Sequence, residues 1–186
     1  LSTYPLVINT VLHGFRIPFA EVPDSASFRN NASARREQEF VEATVLEMMS
    51  DRYISEVPSR PCVVNPLSVS VQANAKKRLI CDLRYTNGFV QKRKIKFEDL
   101  RTAVPYFDRQ GWLASFDIRK GYYHVEIHPD HRKYLGFAWE INGVKRFFQY
   151  NVLPFGLSLG PYIFTKMLRP LVQKMEITRD QSSCLH

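Results

Sequence analysis

The sequence predicts an α+β fold, in which strand hairpins and separate helices share one core. Three observations carry this. Leu67-Ser68-Val69-Ser70-Val71-Gln72 alternates apolar and polar residues, and a second strand-like run, Arg78 to Arg84, follows the basic turn Asn74-Ala75-Lys76-Lys77. Asn142-Gly143 separates two further apolar runs, Tyr134 to Trp139 and Val144 to Tyr150; this pair is a strong hairpin signal because both turn positions favour positive φ. Helical signals stand at either end, an amphipathic stretch over 33–50 and Pro161 in the first turn of a last helix.

In chain order, residues 1–30 form an N-terminal extension, with Val11 to Phe19 read as a short helix followed by extended chain. The helix from Ser33 to Ser50 has Ser33 as its cap, Glu37 and Glu39 near its positive end, and a stripe of Phe40, Val41, Thr44, Val45, Met48 and Met49. Pro58, Pro61 and Pro66 break the chain into extended pieces, among them Cys62 to Asn65. A short helix is expected from Glu98, with Leu100, Ala103 and Val104 inward, and a strand from Trp112 to Ile118. A helical turn over Arg119 to Val125 comes next, and the last helix reaches about Lys174. Met175 to His186 is polar and unpatterned and reads as a frayed or foreign tail.

The chain has 186 residues, 45% of them apolar, enough to bury a core as one domain or two small lobes. Its net charge of +8 is concentrated. Residues 76–101 hold nine cations against three anions and so carry +6. A block of that kind favours a polyanionic partner, although a charge run alone is more often a solvated face. Cys62, Cys81 and Cys184 lack metal spacing and read as thiols of a reducing compartment. Asn31-Ala32-Ser33 matches a glycosylation sequon, taken here as chance. No apolar run reaches membrane-spanning length, so the expected setting is intracellular, away from membranes. A start at Leu1 agrees with a fragment.

Asp117 ends the apolar run Trp112-Leu113-Ala114-Ser115-Phe116 and leads into Ile118-Arg119-Lys120-Gly121-Tyr122-Tyr123. Taken alone, it fits a helix N-cap equally well. About thirty residues on stands Leu153-Pro154-Phe155-Gly156-Leu157-Ser158-Leu159-Gly160-Pro161, and upstream Arg78-Leu79-Ile80-Cys81-Asp82-Leu83-Arg84-Tyr85-Thr86-Asn87. These three segments, in this order and spacing, resemble the first nucleotide-site motif, the template-gripping motif and the fingers strand of retroviral and retrotransposon reverse transcriptases. The similarity runs from about residue 10 to 174, and Val63 to Ser70 leans toward retroelements of the DIRS type.

The resemblance implies a right-hand polymerase: fingers over 31–110, a partial palm over 111–174, a divergent tail over 175–186, and no thumb. It implies RNA-directed DNA synthesis, in which a primer 3′-hydroxyl attacks a dNTP with two Mg²⁺ ions, or Mn²⁺, at the site. Asp117 would be the catalytic carboxylate and a metal ligand, with the Ile118 carbonyl as another. Lys76, Lys77 and Arg78 would hold the triphosphate, as would the amides of Arg119, Lys120 and Gly121. Tyr122 would lie under the deoxyribose, and Phe155 and Gly156 against the nascent pair. Leu153, Pro154 and Gly156 would touch template or primer. Asp82 and Arg84 would organise the fingers without reacting. Plain structural roles remain open, Tyr122 and Tyr123 as core aromatics and Phe155 as a staple for the last helix. Expected partners are an RNA or DNA template with its primer, dNTPs, and the rest of a retroelement polyprotein. The family also uses a Tyr-x-Asp-Asp pair, and this sequence has no Asp-Asp dipeptide. The chain alone is therefore expected to be an inactive fragment; the alternative is a non-catalytic nucleic-acid-binding remnant of a retroelement.

Overall fold

In the computed structural model, residues 4–93 and 117–183 are described, with backbone alone over 175–183. Two sheets organise them. The larger has five strands in the order β1 (Ala26–Ser27), β3 (Val63–Asn65), β6 (Gly136–Ile141), β7 (Val144–Tyr150), β2 (Ile54–Val57). Its first three strands run parallel, and the β6–β7 and β7–β2 pairs are antiparallel. The smaller sheet is the antiparallel hairpin β4 (Leu67–Val71) with β5 (Lys77–Cys81), in register from Leu67 opposite Cys81 to Val71 opposite Lys77.

The β6–β7 hairpin closes as Asn142-Gly143 predicts: φ is 53° at Asn142 and 73° at Gly143, the pair of positive values a two-residue turn needs. The hairpin delivers Phe137 opposite Phe148, both fully buried and stacked at 5.3 Å. Burying side chains of this size stabilises by about 1.5–3 kcal/mol each, so this pair anchors the core. A polar pin joins the sheet to α4 (Arg84–Gly88): buried Asn65 donates to the carbonyls of Tyr134 (3.2 Å) and Gly136 (3.0 Å), and the Thr86 hydroxyl lies 3.1 Å from both Asn65 Oδ1 and the Tyr134 carbonyl.

Several local expectations are corrected. The first helix, α1 (Pro5–His13), starts before the expected Val11, and the helix over 33–50 is two helices, α2 (Ala32–Arg36) and α3 (Gln38–Ser50), broken at Glu37 with φ −108° and ψ 41°. Ser33 is no cap, since its hydroxyl accepts the Val69 N–H at 3.1 Å. That bond ties α2 to β4, while α3 turns to lay Val41, Val45 and Met48 into the core beside β2 and β5. Strand β5 stops at Cys81, short of the expected Arg84. Asp82 Oδ1 accepts the Arg84 N–H at 3.1 Å, a local turn that starts α4 instead. The last helix, α6 (Gly160–Ser183), passes Lys174 and contains Pro170, so the stretch expected as a frayed tail is helical to Ser183. The helix expected from Glu98 and most of the Trp112–Ile118 strand lie outside the described residues. Cys62 and Cys81 are free thiols, and no helix among the described residues is long and apolar enough to cross a membrane.

Candidate functional site

One short antiparallel bridge, Glu126 opposite Val152, brings distant motifs together. After Asp117 and Ile118 the chain makes a 3₁₀ turn, Gly121–His124, and then runs extended beside residues 151–153. The Ile127 N–H donates to the Asn151 carbonyl, and the Leu153 N–H to that of Val125, both at 2.8 Å. The Asp117 turn and the Pro154-Phe155-Gly156 loop are thereby held side by side. Between them opens a pocket of about 400 Å³, whose wall includes Asp117, Ile118, Gly121, Tyr122, Phe155 and Phe164.

Its aromatic wall is built by close approach. Tyr122 stacks on Phe155 with centroids 4.8 Å apart and planes 20° apart, and Phe164 of α6 tilts against Tyr122 at 5.2 Å. A Cβ on Gly121 would meet Phe164 Cζ at 2.7 Å, so only glycine lets that ring approach unmoved. Phe155 is 58% exposed, an unusual position for a ring meant only as a core staple. Burial raises the Tyr122 hydroxyl pKa, so that group stays a neutral phenol at physiological pH. Tyr123 is half-buried between Tyr53, 4.5 Å away, and the edge of Phe155, at 5.6 Å.

Asn87 is the residue that sequence reasoning left without a role. Its amide nitrogen donates to the Gly156 carbonyl and its oxygen accepts the Ser158 N–H, both at 2.8 Å. The carboxamide thus clasps the loop across Gly156, whose φ of +100° suits glycine. Its fixed distance from Asp82 and Arg84 in the quoted motif was the available signal. Asp82 and Arg84 themselves form a forked pair at 2.6 Å, and the guanidinium holds the Asp82 carboxyl below its ordinary range.

Asp117 is exposed at the pocket and makes no hydrogen bond or ion pair among the described residues. The Ile118 carbonyl accepts the Gly121 N–H at 3.1 Å, so the amide expected of Gly121 is spent within the turn. Arg119 and Lys120 keep amides with no acceptor among the described residues. The Lys120 side chain turns away: at φ 54° it reaches Asp51 (2.9 Å) and Glu47 (3.2 Å) over the Tyr53 ring. Those bonds, Asp51 first, raise its pKa. Lys76, Lys77 and Arg78 lie on the β4–β5 hairpin and do not line the pocket; Lys77 is paired to Glu37 at 2.6 Å. Leu153 and Pro154 are buried, which leaves Phe155, Gly156 and Ser158 as the exposed face of that loop.

Among the described residues no cluster of three or more His, Cys, Asp or Glu side chains could hold a metal. One carboxylate beside a carbonyl with an accepted bond fits a corner of a hard cation's shell, not the whole of it.

The sequence model of the family described as reverse transcriptase (RNA-dependent DNA polymerase) matches residues 69–184. A genome polyprotein of Petunia vein clearing virus (isolate Shepherd) is 30% identical over 104 residues, 56% of this chain and 5% of that protein. The retrovirus-related Pol polyprotein from transposon 412 of Drosophila melanogaster is 25% identical over 144 residues, 75% of this chain and 11% of that protein. The chain therefore spans a small part of these larger polyproteins. The crystal structure of a prototype foamy virus protease–reverse transcriptase mutant superposes with a TM-score of 0.67 at 15% identity, covering 87% of this chain and 22% of that one.

Proposed function

We propose that this chain, which belongs to the reverse transcriptase (RNA-dependent DNA polymerase) family, supplies the deoxynucleotide pocket and part of the template grip of an RNA-directed DNA polymerase. The observation that carries this reading is the pocket itself, where the Asp117 carboxylate, without a partner among the described residues, shares about 400 Å³ with the Tyr122–Phe155 stack. In this reading the Tyr122 ring lies under the sugar, Phe155 meets the base pair, and the Arg119 and Lys120 amides face the phosphates. Asn87 holds the loop that Phe155 stands on. Lys76 and Arg78, exposed at the hairpin, meet the phosphate backbone of template and primer.

Mg²⁺, or Mn²⁺ in its place, supplies charge neutralisation at the phosphates and activation of the primer hydroxyl when bound. Asp117 would hold it, with the Ile118 carbonyl beside it. These 186 residues contain no Asp-Asp dipeptide, so the transfer chemistry needs carboxylates from chain beyond them. The rest of a polyprotein, as in the viral and transposon relatives, is the expected source.

Saturation-transfer NMR with dATP tests the pocket. Transfer to the deoxyribose protons is expected, and it should fall in Tyr122→Ala and in Phe155→Ala. Equal transfer in the parent and both variants would place the nucleotide elsewhere.

A further inference from the structure

Lys120 stands at the head of the turn that follows Asp117 in a left-handed conformation, φ 54° and ψ 36°. A residue with a Cβ adopts that state only against a steric cost, and it persists where surrounding contacts hold it. Here the contacts come from a different element. The Lys120 ammonium meets Asp51 Oδ2 at 2.9 Å and Glu47 Oε1 at 3.2 Å, and it stands 4.9 Å from the centre of the Tyr53 ring. Glu47 and the cap residue Asp51 are four positions apart at the C-terminal end of α3. Like charges at that spacing repel, and the negative end of a helix favours a cation. Neither carboxylate pairs with another cation among the described residues. Within the turn, the Gly121 N–H donates to the Ile118 carbonyl at 3.1 Å and the Tyr123 N–H to the Lys120 carbonyl at 2.8 Å. Beneath it the packing is continuous, Tyr53 lying 4.5 Å from Tyr123 and Tyr123 5.6 Å from Phe155. The end of α3 thus reaches the pocket by two routes, the turn backbone and the underside of Phe155. Glu47, Asp51 and Tyr53 do not line the pocket themselves.

We propose that Lys120 is a positioning residue: its side chain, clamped on the end of α3 by Asp51 and Glu47, holds the Asp117 turn in the shape that forms the pocket wall. The clamp selects the left-handed state at Lys120, and with it the direction of the Arg119 and Lys120 amides and of the Asp117 carboxylate. An ammonium committed to two carboxylates is withdrawn from the pocket, so its part is to shape the site and not to meet a phosphate. The consequence for affinity rests on the reading of this pocket as a deoxynucleotide site, and it makes α3 a determinant of how tightly that site binds.

Two readouts on the full chain test the clamp: hydrogen exchange at the Gly121 and Tyr123 amides, and the affinity for dATP followed by NMR titration. Glu47→Gln with Asp51→Asn removes both charges at nearly constant shape. This pair should quicken exchange at the two amides by roughly fivefold and weaken dATP by a similar factor, while β6 amides exchange as before. Lys120→Gly reaches the left-handed state without strain but lacks the ammonium. It should show the same losses, and joining it to the carboxylate pair should add little, because both break one clamp. Lys120→Arg, which keeps a cation on a long arm, should retain most of the protection and affinity. Three results overturn the proposal. Tighter dATP binding by the Glu47, Asp51 variant would make Lys120 a phosphate ligand held in reserve. Parent-like exchange and affinity in Lys120→Gly would leave the backbone conformation alone responsible. Exchange at Gly121 and Tyr123 indifferent to the loss of both carboxylates would show that the turn holds itself. Should the parent chain not bind dATP, the pocket reading fails, and the exchange measurements decide the clamp by themselves.

Discussion

Asn87 and Gly121 show how much of the site depends on single atoms. Asn87→Ala removes both bonds that clasp Gly156 and leaves a loop carbonyl and amide unpaired, at a cost of about 1–2 kcal/mol. Hydrogen exchange at the Ser158 amide should quicken more than at β6 amides; unchanged exchange there would show that the loop holds itself. Gly121→Ala drives a methyl against the Phe164 ring, and overpacking of that kind costs about 1–3 kcal/mol. Phe164→Ala in the same chain should recover part of that loss, so a double-mutant cycle in urea should be clearly non-additive. Strict additivity would mean the two residues do not meet. The turn at Asn142-Gly143 and the Asp117 turn were legible in the sequence, because each is set by residues within four positions of one another. The Lys120 ammonium was not, because its partners Asp51 and Glu47 lie about seventy residues away.

At the level of elements, the N-terminal segment docks on α5 (Pro129–Arg132) through histidine chemistry. His131 Nδ1 accepts the Ile17 N–H at 2.9 Å, which requires that nitrogen to be unprotonated. Burial first, then the Arg16 and His128 charges, lower the His131 pKa; Asp130 opposes them and Lys133 adds to them. A base with a lowered folded pKa binds protons more readily when unfolded, so its stabilising contribution is complete above the unfolded value of about 6.5 and fades as pH falls below it. The urea midpoint should therefore drop between pH 7.5 and pH 5, and His131→Asn, which keeps an acceptor, should flatten that slope. An identical slope in the variant would assign the pH dependence to other groups. Periodicity found the strands of both hairpins and the apolar stripe of α3. It missed the break at Glu37 because Ser33, a good cap by type, is claimed by β4. The run past Lys174 was missed because the polar, unpatterned residues from Met175 read as an ending.

For the whole molecule, the match over residues 69–184 and the foamy virus superposition agree with the α+β right-hand reading made from three motifs. With a net charge of +8, the proposed binding to RNA or RNA–DNA would be largely electrostatic. Because Lys77 is already paired to Glu37, the Lys76→Ala, Arg78→Ala chain should lose only about 1.4 units of log–log salt slope on single strands, about 0.7 for each phosphate contact. An unaltered slope would move the nucleic acid off the hairpin. The 186-residue chain alone should not extend a primer with Mg²⁺ or Mn²⁺, since Asp117 is the one carboxylate at the pocket among the described residues. The most direct measurement joins this chain to a downstream segment that bears the Tyr-x-Asp-Asp pair expected of the family and follows primer extension with and without Asp117→Asn. The account predicts extension by the fusion and its loss by a hundredfold or more in the variant, about 3 kcal/mol of transition-state stabilisation. Extension that Asp117→Asn leaves intact would contradict it.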